Sequence, residues 1–252
     1  MTPAIDDWIW SPFIRLSQAP CRFFYPESRA RPVAGLIGLQ AADIDIQDAF
    51  QVKRWKYEGE WIPHPVVRLT TTLPIAINEP DGRSIVRARW GFDVGAGRPI
   101  GNARDDRLTE SRMWSSMLGK LPCLFAATAI YEQIREPEKI SYWFRRRDQK
   151  PIVMPGLASE RGKGDDKQWC AAIITTKPND FFQQFHDRQV CALEAHELDA
   201  WMGERDPRKA LKLLHAPDNK AWEAVPIDDR IFGAGRRELS DLVPIAEPIR
   251  WK

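Results

Sequence analysis

QWCAAIITTKPNDFFQQFHDR, residues 168–188, holds the clearest β-strand in the sequence and ends in three consecutive polar side chains. Its first nine residues are mostly apolar or β-branched, which is typical of a buried strand. The three phenylalanines that follow predict one or two helical turns. His186, Asp187 and Arg188 come next; a histidine can move a proton near neutral pH, and an arginine can pair with phosphate. The same residues also fit a surface histidine beside an internal Asp–Arg pair, so a strand leading into a polar site is one of two interpretations.

Other stretches repeat the strand signal and outnumber the helical ones. Strands are predicted at 66–77 with a break near Pro74, at 84–92, at 121–133, and at 140–146 and 151–159 as the arms of a hairpin. Helices are predicted at 107–119, ending at Gly119, and at 206–214, where Asp206 and Pro207 form a start signal. Because strands dominate and the order is mixed, we predict an α+β fold: a single domain with a strongly bent, barrel-like, mostly antiparallel sheet flanked by helices.

The N-terminal quarter of the chain is rich in proline, with seven in residues 1–65. Its periodicity is mixed, including the stretch AADIDIQDAF. We therefore predict an irregular N-terminal segment, residues 1–65, packed on a domain formed by residues 66–252, within one structural domain overall.

Composition and charge limit the classes of protein that fit. The formal net charge is only +2, so any nucleic-acid site must be a local patch. No apolar run approaches the roughly 18–20 residues that span a bilayer, and the N-terminal MTPAIDDWIW has acids where a signal peptide needs positive charge. We expect a cytoplasmic protein without a membrane partner.

The sequence contains no pattern for a metal or a nucleotide cofactor. The four cysteines form no CxxC pair, and the glycine-rich run 93–101 lacks both GxGxxG and GxxxxGK[ST]. We predict neither a metal nor a cofactor.

Three further stretches carry polar side chains on or beside predicted strands. GNARDDR places Asn102 and Arg104 after a glycine-rich loop, where an amide and a guanidinium can bind phosphate. FAATAIYEQ ends a buried strand at Glu132, and desolvation there would raise a carboxyl pKa toward that of a useful general acid. SIVRARWGF alternates Arg87 and Arg89 onto one face. Taken singly, the Asn102 and Glu132 stretches also fit an ordinary capped loop and an exposed strand end.

The order of these stretches resembles one family, the SOS-response-associated peptidase (SRAP) family, whose members sense abasic sites in single-stranded DNA. The family's blocks run approximately as NAR[SA]E, RCL.PADGFYEW, AGLWE, FTIITT.AN and HDRMP. This sequence has NARDD, PCLFAATAIYEQ, PGLASE, AAIITTKPN and HDRQV in the same order, and the resemblance extends from about Val66 to Met202. It implies a distorted β-barrel flanked by helices that binds single-stranded DNA, especially at abasic sites, in the DNA damage response.

Carried over residue by residue, the resemblance implies three roles in the reaction with the abasic sugar. Asn102 orients the sugar or the reacting N-terminus. Glu132 is the acid and base that helps to open the sugar ring. His186 assists proton transfer when the linkage forms or reverses.

The resemblance also implies a set of phosphate contacts. Arg104 and Arg188 hold backbone phosphates, which makes the affinity sensitive to salt. We expect Arg87 or Arg89, from the neighbouring strand, to line the same groove and to help them.

The beginning of the chain departs from the family, which starts Met-Cys-Gly-Arg and uses the amine and thiol of the freed cysteine to capture the abasic aldehyde. This chain begins MTPAI, so Thr2 is a candidate N-terminal nucleophile with a weaker hydroxyl. Cys21, in PCRFF, is a second candidate if the chain is cleaved after Pro20.

Three hypotheses for the function follow. The leading one is an SRAP-like protein that binds single-stranded or abasic DNA, with covalent capture of the aldehyde through its N-terminus. The alternative is a non-covalent single-stranded DNA-binding module with a vestigial site, favoured by the missing N-terminal cysteine. A peptidase acting on other proteins ranks last, because the order of residues shows no Ser–His–Asp or Cys–His–Asn triad.

Overall fold

The computed structural model describes residues 35–95, 97–134, 139–164, 167–235 and 237–252. The candidate nucleophiles Thr2 and Cys21 lie outside these residues. Within the described part of the chain, no helix is long and apolar enough to cross a membrane.

The described residues form two sheets, four short α-helices and several 3-10 turns. The strands are β1 (Leu36–Leu39), β2 (His64–Arg68), β3 (Thr72–Glu79), β4 (Gly82–Trp90), β5 (Asn102–Arg104), β6 (Pro122–Ala127), β7 (Ala129–Ile134), β8 (Ile140–Arg146), β9 (Ile152–Arg161), β10 (Gln168–Thr176), β11 (Gln189–Val190), β12 (Trp222–Ile227) and β13 (Ile249–Arg250). The helices are α1 (Asp43–Phe50), α2 (Arg112–Ser115), α3 (Leu198–Gly203) and α4 (Pro207–Lys212), with 3-10 turns at Asp105–Arg107, Phe182–Gln184, Asp229–Phe232 and Leu239–Asp241.

The first sheet closes into a barrel of five strands in the order β10-β4-β3-β6-β9, because β9 also pairs with β10. This confirms the predicted α+β fold with a strongly bent, mostly antiparallel sheet. The barrel is tightly packed at Gly156 of β9, where an added Cβ would lie 2.7 Å from the carbonyl oxygen of Ala172 and 2.8 Å from the Phe125 ring. Only a residue without a side chain fits such an approach between strands.

β10 is the predicted strand of residues 168–176, and it has neighbours along both edges. β9 and then β11 lie antiparallel along one edge, while β4 and then β5 lie parallel along the other. The amide of Gly91 donates to Ala171, and the amide of Ile173 donates to Gly101. The glycine-rich loop between Gly91 and Gly101 is therefore an excursion between two halves of one interrupted strand, β4 and β5.

The second sheet is antiparallel, in the order β13-β12-β8-β7-β1-β2. The predicted strand 121–133 supplies both sheets, because it divides at Thr128 into β6 of the barrel and β7 of the second sheet. The Thr128 amide donates to Gly38 of β1 at 2.8 Å, and its hydroxyl accepts from the Gln40 amide at 2.9 Å. Both halves are buried, so the pattern of apolar residues does not reveal the division.

The predicted hairpin of residues 140–159 is wrong. β8 pairs with β7 and β12, whereas β9 pairs with β6 and β10, so the short connection between them carries the chain from one sheet to the other. Local turn signals mark where a chain reverses, but they do not say which strands lie beside it.

The predicted break near Pro74 also lies elsewhere. The chain turns at residues 69–71, where Thr70 has a φ of 78°, and Pro74 lies inside β3 opposite Arg87. β6 pairs only with residues 75–77 of β3, so Pro74 has a strand on one side and its missing N–H is tolerated.

The helical predictions differ in accuracy. The predicted helix 206–214 is confirmed, with the Asp206 carboxylate accepting from the amides of Arg208 and Lys209. The predicted helix 107–119 is wrong in extent, because only the four residues of α2 are α-helical. Ser116 is the C-cap of α2, and the predicted cap, Gly119, lies three residues further on with a φ of 74°. Part of the segment predicted to be irregular, residues 36–50, forms β1 and α1.

The edge of the second sheet holds a buried carboxylate between two arginines. Glu223 of β12 accepts from Nε of Arg145 on β8 and from Nε of Arg250 on β13, each at 2.7 Å. Burial alone would raise the pKa of Glu223, but the two arginines outweigh it and lower that pKa. The ion pairs therefore connect three neighbouring strands.

We expect Glu223→Gln to lower the free energy of unfolding by about 1–2 kcal/mol at pH 7, since charged hydrogen bonds are lost while both arginines remain partly hydrated. A lowered folded-state pKa stabilises the fold above the unfolded glutamate pKa of about 4.3, and this contribution disappears as the pH falls through the lower folded value. Urea unfolding should show the difference from wild type at pH 7 and its loss in acid. Glu247→Gln, at an exposed position, is the control; an equal effect of both changes would contradict the assignment.

Candidate functional site

The C-terminal end of β10 brings together the segments that carry NAR and HDR. Asn102 and Arg104 of β5 lie opposite Ile173 and Thr175 of β10, respectively. On the other edge, Val190 of β11, two residues after Arg188, also lies opposite Thr175. Two segments that are far apart in the sequence thus flank the same end of one strand.

Arg188 is buried at this end and is held by three oxygen atoms. Its Nη2 donates to the Thr175 carbonyl at 2.5 Å, to the Asp105 carboxylate at 2.8 Å and to the Thr175 hydroxyl at 3.3 Å. The second oxygen of Asp105 accepts from the Thr176 hydroxyl at 2.6 Å. Asp105 therefore fixes the Arg188 guanidinium to the end of β10.

Arg104 projects toward solvent beside this network. Its Nε and Nη2 donate to the two oxygens of Asp106 at 3.0 and 2.7 Å, and its side chain is 47% exposed. The hydrogen bond to Asp106 is the largest of the effects that raise the Arg104 pKa, and the same bond lowers the pKa of Asp106. Asp106 Oδ1 also lies 3.7 Å from Arg188 Nη1, so one carboxylate lies between two guanidinium groups.

His186 begins the segment that ends in Arg188. Its Nδ1 accepts from the Arg188 amide at 3.1 Å and lies 2.8 Å from the Asp187 carboxylate. The first contact needs an unprotonated Nδ1 and the second a protonated one, so the two contacts belong to different protonation states of the ring. Both use Nδ1 and leave Nε2 to other interactions.

Glu132 lies on β7, and packing connects its strand to the His186 segment. Glu132 is 8% exposed and lies opposite Tyr142 of β8. The Tyr142 ring packs on the ring of Phe185 with centres 4.8 Å apart, and Phe185 directly precedes His186. The second sheet therefore presents the Glu132 strand beside the turn that follows β10.

The register of β1 against β7 relates the start of the described chain to the position of Glu132. Ile37 and Gly38 of β1 lie opposite Ile130 and Ala129 of β7. Continuing this antiparallel register by two residues brings Gly35 opposite Glu132. By this register, the described part of the chain begins level with Glu132.

Arg87 and Arg89 do not join this cluster. They line a separate surface groove with Lys56, Lys167 and Trp169. The Arg87 guanidinium lies 5.7 Å from the centre of the Tyr57 ring, and Arg89 pairs with Asp93 at 3.2 Å.

The separation of this groove from the cluster is measured along β10. Arg89 lies opposite Cys170, whereas Arg104 lies opposite Thr175, which is about 17 Å further along the strand. Arg87 and Arg89 therefore lie apart from Arg104 and Arg188, and their contact with DNA stays a prediction. The alternation of side chains along β4 correctly predicted that Arg87 and Arg89 share one face. It could not predict where β4 and β5 lie along β10.

The aspartates that organise the cluster were missed at the level of sequence. Asp105 and Asp106 follow Arg104 directly in NARDD, where the resembled pattern has a small residue and a glutamate. The doubled acid beside an arginine was the available signal for an internal ion pair. It did not show that Asp105 reaches Arg188, 83 residues later.

This chain has a five-stranded barrel with its NAR and HDR segments at one end of a central strand. That is the kind of protein that the resemblance to the SRAP family implied. The sequence profile of the family described as "SOS response associated peptidase (SRAP)" matches residues 34–233. The chain belongs to this family.

Relatives agree with that membership, and solved structures share the fold. The Bacillus subtilis (strain 168) proteins named abasic site processing protein YoqW and YoaM are 26% and 25% identical over 199 and 211 residues, covering 74% and 79% of this chain and 88% and 92% of theirs. A crystal structure of a protein from Bacteroides thetaiotaomicron has a TM-score of 0.69 at 18% identity, covering 79% of this chain and 95% of that one. The crystal structure of a phage-related protein from Bordetella bronchiseptica has a TM-score of 0.61 at 20% identity, covering 83% of this chain and 99% of that one. At these identities the structures show the fold alone.

We expect Arg188→Ala and Arg104→Ala to differ in their effect on stability. Removing Arg188 leaves Asp105 partly buried without its cation and should cost about 3 kcal/mol, whereas removing the exposed Arg104 should cost less than about 1 kcal/mol. The measurement is urea unfolding at pH 7, with the exposed Arg112→Ala as the control. Equal losses for Arg104 and Arg188 would show that Arg188 does not join β10 to β5.

Proposed function

We propose that this protein binds single-stranded DNA that carries an abasic site and acts on the lesion at the C-terminal end of β10. One observation carries the proposal: two arginines lie on either side of a single carboxylate, at the same end of β10 that holds Asn102 and His186. Such a pair can bind phosphate beside residues able to move protons. The names of the relatives, abasic site processing proteins, support the same lesion as the ligand.

The proposed roles divide between holding the strand and reacting with the sugar. Arg104, which is exposed, and Arg188, which is fixed by Asp105, contact backbone phosphates. Glu132 and His186 transfer protons as the sugar ring opens. Asn102 orients the opened sugar or the group that attacks it.

The proposed reaction is attack of the protein's N-terminal amine on the C1′ aldehyde of the opened sugar. A carbon–nitrogen bond forms, and the aldehyde oxygen leaves as water with the two protons that the amine gives up. Glu132 relays protons to that oxygen, and the product is an imine. A thiol on the same residue, as at Cys21, would then close a stable ring, whereas the hydroxyl of Thr2 would leave the imine reversible.

A second candidate, a module that binds the lesion without a covalent step, is favoured by the register of β1. Extending the β1–β7 register by two residues puts Gly35 level with Glu132, and Gly35 is internal to the chain and has no nucleophilic side chain. Capture would therefore need the true N-terminus to approach the site. Cys21 is 14 residues from Gly35, and a chain of that length can extend about 47 Å, so distance alone does not prevent it.

Binding to single strands should weaken steeply with salt, because each phosphate contact releases a counterion. We expect Arg104→Ala to weaken all sequences alike and to reduce the slope of log K against log salt by roughly 1. Arg87→Ala is the matched control, since Arg87 lies in the separate groove and its loss should leave the slope unchanged. Fluorescence anisotropy with labelled oligonucleotides measures both, and salt-independent binding, or none, would contradict the proposal.

Borohydride should trap a protein–DNA adduct, because it reduces the imine to a stable amine. Glu132→Gln should slow trapping by on the order of 10²-fold, the usual share of a general acid, and His186→Ala should also impair it. Glu110→Gln, at an exposed glutamate, is the control. If Cys21 is the nucleophile, Cys21→Ser should turn a stable adduct into one that needs borohydride.

The intact mass of the protein before and after incubation with abasic single strands separates the two candidates. An added oligonucleotide mass supports covalent capture. Wild-type protein that binds abasic strands but yields no adduct with borohydride would falsify capture and leave the non-covalent module.

A further inference from the structure

The carboxylate of Asp106 occupies a position that suits a phosphate. One of its oxygens lies 3.0 Å from Nε of Arg104 and 3.7 Å from Nη1 of Arg188, and the other lies 2.7 Å from Nη2 of Arg104. Two donors of one guanidinium pointing at two oxygens is the arrangement that arginine uses for phosphate as well as for carboxylate. Asp106 therefore marks where an anion from solvent would be held by both arginines.

The local charge opposes DNA while Asp106 stays in this place. The cluster contains two cations, Arg104 and Arg188, and the carboxylates of Asp105 and Asp106 pair with them. A third carboxylate, that of Asp187, is close enough for its charge to raise the Arg104 pKa. These two positive and three negative groups leave one net negative charge in the cluster. A phosphate that approached it would be repelled unless one carboxylate moved away.

The two neighbouring aspartates differ in whether they can move. The Asp105 side chain is 21% exposed and is fixed by Arg188 and by the Thr176 hydroxyl. The Asp106 side chain is 42% exposed, and its main partner, Arg104, is itself nearly half exposed. Exposed ion pairs contribute little free energy, so exchanging one anion for another at Arg104 costs little.

We propose that Asp106 is an internal substitute for a DNA phosphate, which a backbone phosphate displaces when the strand binds between Arg104 and Arg188. This inference rests on the proposed function and names the phosphate subsite within it. Asp105 is a positioning residue that stays in place and holds Arg188. Displacement of Asp106 makes binding weaker than the two arginines alone would give, which disfavours strands that offer no further contacts at the site.

The test is Asp106→Asn with an abasic single-stranded oligonucleotide, measured by anisotropy over a range of salt. Removing the competing charge should tighten binding by about five-fold, the upper range for an exposed ion pair. The slope of log K against log salt should also become steeper by up to about 1. In wild type, the displaced Asp106 carboxylate takes up a cation from solution, which cancels one of the cations that the DNA releases on binding; the variant lacks this cancellation. In the Arg104→Ala background most of the gain should vanish, since Asp106 then has lost its main partner.

Asp105→Asn is the matched control and should weaken binding, because Arg188 loses its support. Asp106→Ser provides a second variant without a charge, and thermal unfolding of each variant shows whether it is folded. Unchanged or weaker binding by folded Asp106→Asn and Asp106→Ser, in a protein whose wild type binds the strand, would overturn the displacement. If wild type binds no single strand at all, the proposed function itself fails, which is a separate result.

Discussion

The hydrogen bonding of β10 along both of its edges is the constraint on which the rest of the structure depends. A largely buried strand must satisfy its amides and carbonyls with other strands, since water cannot reach them. β9 and β4 do so at its beginning and close the barrel, while β5 and β11 do so at its end. The last two are very short, and they are the strands next to the NAR and HDR side chains. The polar cluster is therefore a consequence of completing one ladder with two short segments from distant parts of the chain.

Two arginines at the C-terminal end of β10 have different surroundings, one buried and one exposed. Arg188 lies in the interior because the Thr175 carbonyl and Asp105 accept its hydrogen bonds, and the bond to Asp105 joins the segment before β11 to the segment after β5. Arg104, the last residue of β5, points outward, and its partner Asp106 is also exposed. Arg188 is thus held by the fold, whereas Arg104 is exposed at the surface. Sequence alone gives both the same description, an arginine beside a strand.

The accuracy of the sequence predictions follows the range of the interactions that decide each element. The strand 168–176 and the helix that begins after Asp206 are determined by local signals, and both are confirmed. The division at Thr128 and the separation of β8 from β9 depend on which sheets are neighbours, and no local pattern carries that information. For the site, the order of motifs identified segments that the structure brings together at β10. The roles of Asn102, Glu132 and His186 remain predictions. The contact between Asp105 and Arg188 was visible only in three dimensions, because 83 residues separate the two in the sequence.

Binding the DNA lesion and capturing its aldehyde covalently are two separate requirements, and the register between β1 and β7 bears only on the second. The proposed binding of a strand and protonation of an opened sugar use Arg104, Arg188 and His186 at the end of β10, and Glu132 on β7 of the second sheet. The proposed capture of the aldehyde needs an amine close to Glu132, whereas the residue that the extended β1–β7 register puts level with Glu132 is Gly35, which is internal to the chain. Proton transfer at the lesion is the role that the resemblance implies for Glu132. That role remains a prediction, and it applies to both candidate functions because it does not depend on a covalent bond.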